Sequence, residues 1–225
     1  MNDPAPASRF RGPIRVGLLT PYFSFFDARF PADYRPSQEA YARTLAERLR
    51  AEGVEVTESG LVDGTGSASE ARRRFAEAGI EVVVAAATMA APPTYGSQAL
   101  DGFRGPIVVW DDKRAARFAR DVDEVEATRA SSPLGSVMLA NVLGREGRAY
   151  VVVSSVDGDA TEVVRAVRGA AAAASLRGAR LGLLGGTIPG YGDVVLDGAT
   201  AAALGVELVP VDDDTLAAAA RDSRG

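Results

Sequence analysis

Five segments of the sequence carry side chains that could bind or react, and none is a complete catalytic motif on its own. The first is Thr20-Pro21-Tyr22-Phe23-Ser24-Phe25-Phe26-Asp27, the start of a stretch holding six aromatic residues from Tyr22 to Tyr34. Such a cluster is either a lid or interface patch or a loop whose rings fold back on the core, and the sequence leaves both open. The second, Thr88-Met89-Ala90-Ala91-Pro92-Pro93-Thr94-Tyr95, is a rigid polar loop that could form a site but is more simply a strand-to-helix connection. The third is Trp110-Asp111-Asp112, whose paired acids could hold a hard cation or a substrate hydroxyl. With no further ligands close in sequence, it reads as a solvated pair at a strand end. The fourth, Leu184 to Asp193, is glycine-rich and could present backbone N–H groups to a phosphate. It departs from both G-x-x-x-x-G-K-[ST] and G-x-G-x-x-G, so a loop admitting another chain or a small ligand to its backbone fits better. The fifth, Asp212-Asp213-Asp214, reads as a strand end capping the next helix.

Composition narrows the chemistry further. The chain has 225 residues, no cysteine and no histidine. That removes thiolate nucleophiles, disulfides, Cys-based metal sites and the commonest general base, and a Ser-His-Asp triad cannot be assembled from this chain alone. Lys113 is the sole lysine, so arginine carries nearly all the positive charge and cannot act as a proton-transfer base. The net charge of -5 argues against a nucleic-acid partner. No apolar run approaches the ~18 residues of a membrane span. Residues 1–13 read as a flexible polar tail rather than a leader. A cytoplasmic protein without membrane or nucleic-acid partners is expected.

The elements that must position these segments alternate strand and helix. Strands are predicted at 14–20, 54–62, 80–88, 106–112, 149–155, 179–186 and 206–212, mostly as continuous apolar runs suited to burial on both faces. Helices are predicted at 37–52, 68–78, 95–103, 132–144, 159–177 and 194–204. Ser37 is the expected cap of the first, Glu39 its first-turn acid, and Gly53 and Gly79 the expected C-terminal glycines of the first two. The charged stretch 113–130 reads as a linker or a solvated helix. The expected fold class is therefore α/β, with two consecutive open, mostly parallel Rossmann/flavodoxin-like sheets covered by helices on both faces. The first domain is expected over 14–125, the second over 126–216, and a truncated or frayed tail over 217–225.

In chain order from about residue 14 to 216, several of these segments resemble the N-terminal half of the L-arabinose/L-fucose isomerase family, in its arabinose isomerase-like branch. RVGLLTPYFSFFD is similar to the family's opening strand and loop, and ANVLGREGRAYVVVSS to a helix–strand step of its second domain. LRGARLGLLGGTIPGYGDVVLDGATAAALGVELVPVDDDTL is similar to the glycine loop, turn and helix–strand that follow. The resemblance implies aldose–ketose interconversion assisted by a divalent metal, often manganese, bound in a C-terminal domain that this chain does not contain. It therefore implies no catalytic and no metal-binding residue here, and no cofactor bound by this chain alone.

The same resemblance implies that the N-terminal domains build oligomer contacts. It also implies that loops after the first and third strands cover a neighbouring subunit's active site. The corresponding positions are Thr20, Tyr22 and Phe25, then Met89 and Ala90, with Ile188, Tyr191 and Asp193 on the substrate side. The family's polar residues after the third strand are replaced here by Ala-Thr-Met-Ala-Ala, which leaves the sugar open. The implied partners are a small sugar and either further copies of the chain or a complementary C-terminal half. A stand-alone sugar-binding module of two α/β domains is the alternative. A nucleotide-linked enzyme fits less well, because the glycine spacing is wrong for a pyrophosphate.

Overall fold

A computed structural model describes residues 12–114, 117, 120–184, 190 and 196–222. The chain divides into two compact units, residues 1–171 and 172–225.

In the first unit, five strands form one parallel sheet: β1 (Arg15–Pro21), β2 (Glu55–Val62), β3 (Val82–Ala85), β4 (Ile107–Lys113) and β5 (Tyr150–Val156). Their spatial order is β2-β1-β3-β4-β5, the flavodoxin-like doubly wound order. The strand sequences explain why helices cover both faces. Val16 and Leu18 of β1, Val82 and Val84 of β3, and Val108 and Trp110 of β4 alternate to one side. There they meet Leu45, Ala46 and Leu49 of α1 (Tyr34–Ala51) and Val163, Val164 and Val167 of α6 (Thr161–Leu176). Leu19, Val83, Ala85, Ile107 and Val109 point to the other side. They pack on α2 (Thr65–Glu77), the end of α3 (Pro93–Ala99) and α5 (Ser132–Arg145), through Phe75, Leu100, Leu139 and Leu143 among others. A strand with period-two apolar residues on both faces can only be satisfied this way.

Three expectations need correction. The boundary expected near residue 125 does not separate two sheets. β5 pairs in parallel with β4 along its whole length, from Ile107 against Tyr150 to Lys113 against Val156. The charged stretch before it contains a short helix, α4 (Glu124–Arg129), within the crossover between these two neighbouring strands. Among the described residues the second sheet is small, β6 (Arg180–Leu184) beside β7 (Glu207–Val211), with α7 (Gly198–Leu204) between them in sequence. Residues 217–222 belong to a regular helix, α8 (Asp213–Asp222).

α1 also begins one turn before the expected cap. Pro36 sits inside its first turn, where a missing N–H costs nothing. Ser37 does not cap; its hydroxyl donates to the Tyr34 carbonyl at 2.6 Å. Gly53 does close the helix, with a positive φ of 87° that a side chain would strain.

Candidate functional site

In an open parallel sheet, ligands gather beyond the carboxyl ends of the strands, where the strand order reverses. Here that switch point lies between β1 and β3. The loops after these strands meet there in an apolar cluster of Tyr22, Tyr34, Ala42, Leu61, Met89 and Ala91. Of the residues implied by the resemblance, Tyr22 and Met89 are thus brought together, but both are completely buried. The Tyr22 hydroxyl donates to Asp27, and the Tyr34 hydroxyl approaches the Met89 sulfur at 3.8 Å. Neither residue offers a surface to a ligand in this state. Thr20 is also buried and belongs to the β1–β2 junction, taking Ser59 Oγ on its N–H at 3.1 Å and donating to the Gly60 carbonyl at 2.7 Å. Ala90 is half-buried, its N–H held by Ser131 Oγ at 2.9 Å. Phe25 alone projects, 52% exposed, stacked on Phe23. The aromatic stretch thus chiefly folds back on the core, with one ring left out. Ile188, Tyr191 and Asp193 lie outside the described residues.

A polar cluster that sequence reasoning did not find lies beside these loops. Tyr34, Gln38 and Tyr41 recur at i, i+4 and i+7 on α1, so they share one helix side. Asp112 of β4 follows Trp110 on the same strand face, and Arg114 lies one residue beyond the strand's end. Asp112 is buried, not solvated. It accepts from the Tyr41 hydroxyl, from Ser155 Oγ at 2.6 Å and from the Gly158 N–H at 2.9 Å. Burial and this carboxylate together push the Tyr41 phenol well above the ordinary tyrosine range.

Arg114 lies over the Tyr41 ring, its guanidinium carbon 3.7 Å from the centroid. It donates to the Thr88 carbonyl at 2.9 Å and to Gln38 Oε1. Burial lowers its pKa, since the charged form is the one that loses water. Arg129 of α4 lies over the Tyr34 ring at 5.5 Å and pairs with Glu126 at 3.2 Å. Gln38 Nε2, Arg114 Nε and Arg129 Nε are buried without a hydrogen-bond partner among the described residues. The cluster therefore holds fixed donors in surplus, and its one buried carboxylate is already committed to three donors.

The helix behind the β3 loop keeps this geometry tight. A Cβ on Gly135 of α5 would stand 2.1 Å from the Met89 carbonyl oxygen, so only glycine allows the approach. Ser132 Oγ donates to the Asp112 carbonyl at 2.7 Å, tying α5 to the end of β4.

For the manganese implied by the resemblance, the described residues bring together no group of three carboxylates able to hold a metal ion. No described helix is long and apolar enough to cross a membrane.

The sequence matches no family model and no curated protein. Among solved structures, an arginase from Bacillus subtilis aligns over 75% of this chain and 72% of that one, at 14% identity and a TM-score of 0.27. At that score the likeness carries no argument about fold or chemistry.

Proposed function

We propose that this chain is the small-molecule-binding, N-terminal portion of a sugar aldose–ketose isomerase-like protein, with the metal and the proton-transfer groups supplied by a C-terminal domain or chain. The observation that carries the binding role is the convergence of the β1 and β3 loops with Gln38 and Arg114 at the carboxyl edge of the sheet. Fixed N–H donors at that edge suit a ligand rich in acceptor oxygens, as a sugar is. The ordered resemblance of the β1, β5 and β6–β7 segments supports the isomerase-like assignment. Exposed apolar side chains on α5 (Leu134, Val137) and β5 (Val151, Val152) support a role for this portion in assembly.

Titration calorimetry of the folded chain with L-arabinose and L-fucose tests the reading. The expected result is saturable binding without isomerisation. A folded chain that binds neither sugar, nor any other pentose or deoxyhexose, overturns it. A stand-alone binding module is the second reading, favoured by the polar cluster lying wholly within the first unit. It is distinguished by sugar binding that no manganese-loaded C-terminal segment, added or fused, converts to turnover.

A further inference from the structure

Among the described residues, three donors beside one helix side have no acceptor. Tyr34 and Tyr41, with Gln38 between them, are seven steps apart on α1, about 10 Å along the axis at ~1.5 Å per residue. Arg129 covers the first ring, Arg114 covers the last, and the wholly buried Gln38 stands between them in the helix. Gln38 Nε2, Arg114 Nε and Arg129 Nε have no partner among the described residues. Exchanging the amide oxygen and nitrogen of Gln38 does not help, because its NH₂ would then face the Arg114 N–H that Oε1 now accepts. Among the described residues Arg114 makes no ion pair; its acceptors are an amide oxygen and a peptide carbonyl. Asp112 acts on Arg114 through its charge, but its oxygens accept from Tyr41, Ser155 and Gly158 and make no ion pair with the guanidinium. A half-buried guanidinium with no carboxylate bonded to it keeps N–H donors that a bound anion can take.

We propose that Gln38, Arg114 and Arg129 bind an oxyanion carried on a small molecule, a carboxylate or a phosphate monoester. Such a group offers several acceptor oxygens and a negative charge at once, and guanidinium N–H groups match its geometry. The position fits, because Arg114 follows β4, its acceptor Thr88 follows β3, and both lie at the ligand-binding edge of the sheet. This goes beyond the sugar-binding reading, since a neutral sugar supplies acceptors but no charge. It makes a sugar acid or a sugar phosphate the better ligand class.

The test is titration calorimetry of the full chain with inorganic phosphate, ribonate, ribose 5-phosphate and ribose. Saturable binding of ribonate or ribose 5-phosphate at millimolar or lower concentration is expected, weakened by added salt and tighter than ribose by about tenfold or more. Whichever of the two binds identifies the source of the oxyanion. Arg114→Met is expected to lose about tenfold or more in affinity. Gln38→Leu removes an NH₂ without a partner among the described residues and one acceptor of Arg114, which keeps the Thr88 carbonyl, so it is the variant expected to fold, and it should weaken binding too. Circular dichroism checks both variants. No saturable binding of any anion to the folded chain overturns the proposal, as does anion binding that folded Gln38→Leu and Arg114→Met leave unchanged. Ribose binding as tightly as ribose 5-phosphate and ribonate would overturn the oxyanion site and leave the sugar reading standing. Anion binding with no affinity for any neutral sugar would support the oxyanion site and count against that reading.

Discussion

The Arg114 guanidinium carbon lies 3.7 Å from the centroid of the Tyr41 ring, while the hydroxyl of that same ring donates to buried Asp112. One phenol therefore joins a buried carboxylate to the arginine two residues further along. Its face receives the cation and its edge serves the anion, so neither charge is left against bare hydrocarbon.

The two roles of Tyr41 separate by substitution. Tyr41→Phe keeps the ring under Arg114 and deletes the bond to Asp112, which retains Ser155 and Gly158. The expected cost is about 1.5–3 kcal/mol, the range for a hydrogen bond to a charged group. Tyr41→Leu also removes the aromatic face, adding roughly 1–2 kcal/mol. Urea unfolding followed by the fluorescence of Trp110 measures both. Equal losses would mean the stacked cation contributes nothing.

Tyr22, Tyr34 and Tyr41 all have raised pKa values, burial being the largest cause in each. A phenol that holds its proton more tightly when folded stabilises the fold fully below the unfolded pKa of about 10. That contribution disappears as pH rises through the folded value. Alkaline difference absorbance should therefore show Tyr22, Tyr34 and Tyr41 titrating late, together with unfolding. Their ionisation near pH ~10 in a still-folded chain would contradict the packing around α1.

The strands were legible because β1, β3 and β4 are apolar on both faces, a pattern that leaves few alternatives to a covered parallel sheet. Their pairing was not. Strand–helix alternation says nothing about which strands touch, so the charged run after Lys113 reads as a linker or a solvated helix with no sign that it lies within a crossover from β4 to its neighbour β5. The polar cluster was hidden for a similar reason. Gln38, Asp112 and Arg114 are ordinary residues with no motif between them, 76 positions apart at the widest bond. Asp112 follows Trp110 at strand spacing, which points both to one sheet face and was the available signal against a solvated acid.

Gly135 tests how the β3 loop is held. Gly135→Ala sets a methyl 2.1 Å from a backbone oxygen at Met89 and 2.7 Å from the Ala87 Cβ, and a carbonyl in a buried loop cannot step aside cheaply. The higher helix propensity of alanine, ~1 kcal/mol, opposes this. Overpacking is expected to win, with a net loss of about 1–3 kcal/mol in urea unfolding. A Gly135→Ala variant as stable as the parent would mean that α5 and the loop are less closely apposed.

The sole tryptophan reports on the same region. Trp110 is fully buried, and its indole N–H donates to Ser155 Oγ at 2.7 Å, while that hydroxyl donates to Asp112 at 2.6 Å. Ser155→Ala leaves the indole without an acceptor and Asp112 short of one donor. The expected cost is about 1–3 kcal/mol, with a change in Trp110 emission in the folded state. Unchanged stability and emission would mean that water replaces the hydroxyl.

The second unit offers a separate test through its helix caps. Asp197 accepts the Thr200 N–H at 2.7 Å at the start of α7, and Asp212 accepts the Thr215 N–H at 2.6 Å at the start of α8. Those backbone bonds are the leading reason both carboxyls titrate below the ordinary range. A carboxylate whose pKa falls on folding stabilises the fold at pH values above its unfolded pKa of about 3.9 and loses that contribution as pH drops through the folded one. Amide resonances of residues 198–204 and 213–222 should therefore lose dispersion on acidification below about pH 4, in step with protonation of the two caps. The paired change Asp197→Asn and Asp212→Asn keeps an acceptor at each cap but removes the titration. Its helices should start slightly weaker at neutral pH, where the charge no longer complements the helix dipole, and respond less to acid. An identical acid response in parent and double variant would show that neither carboxylate controls the stability of this unit.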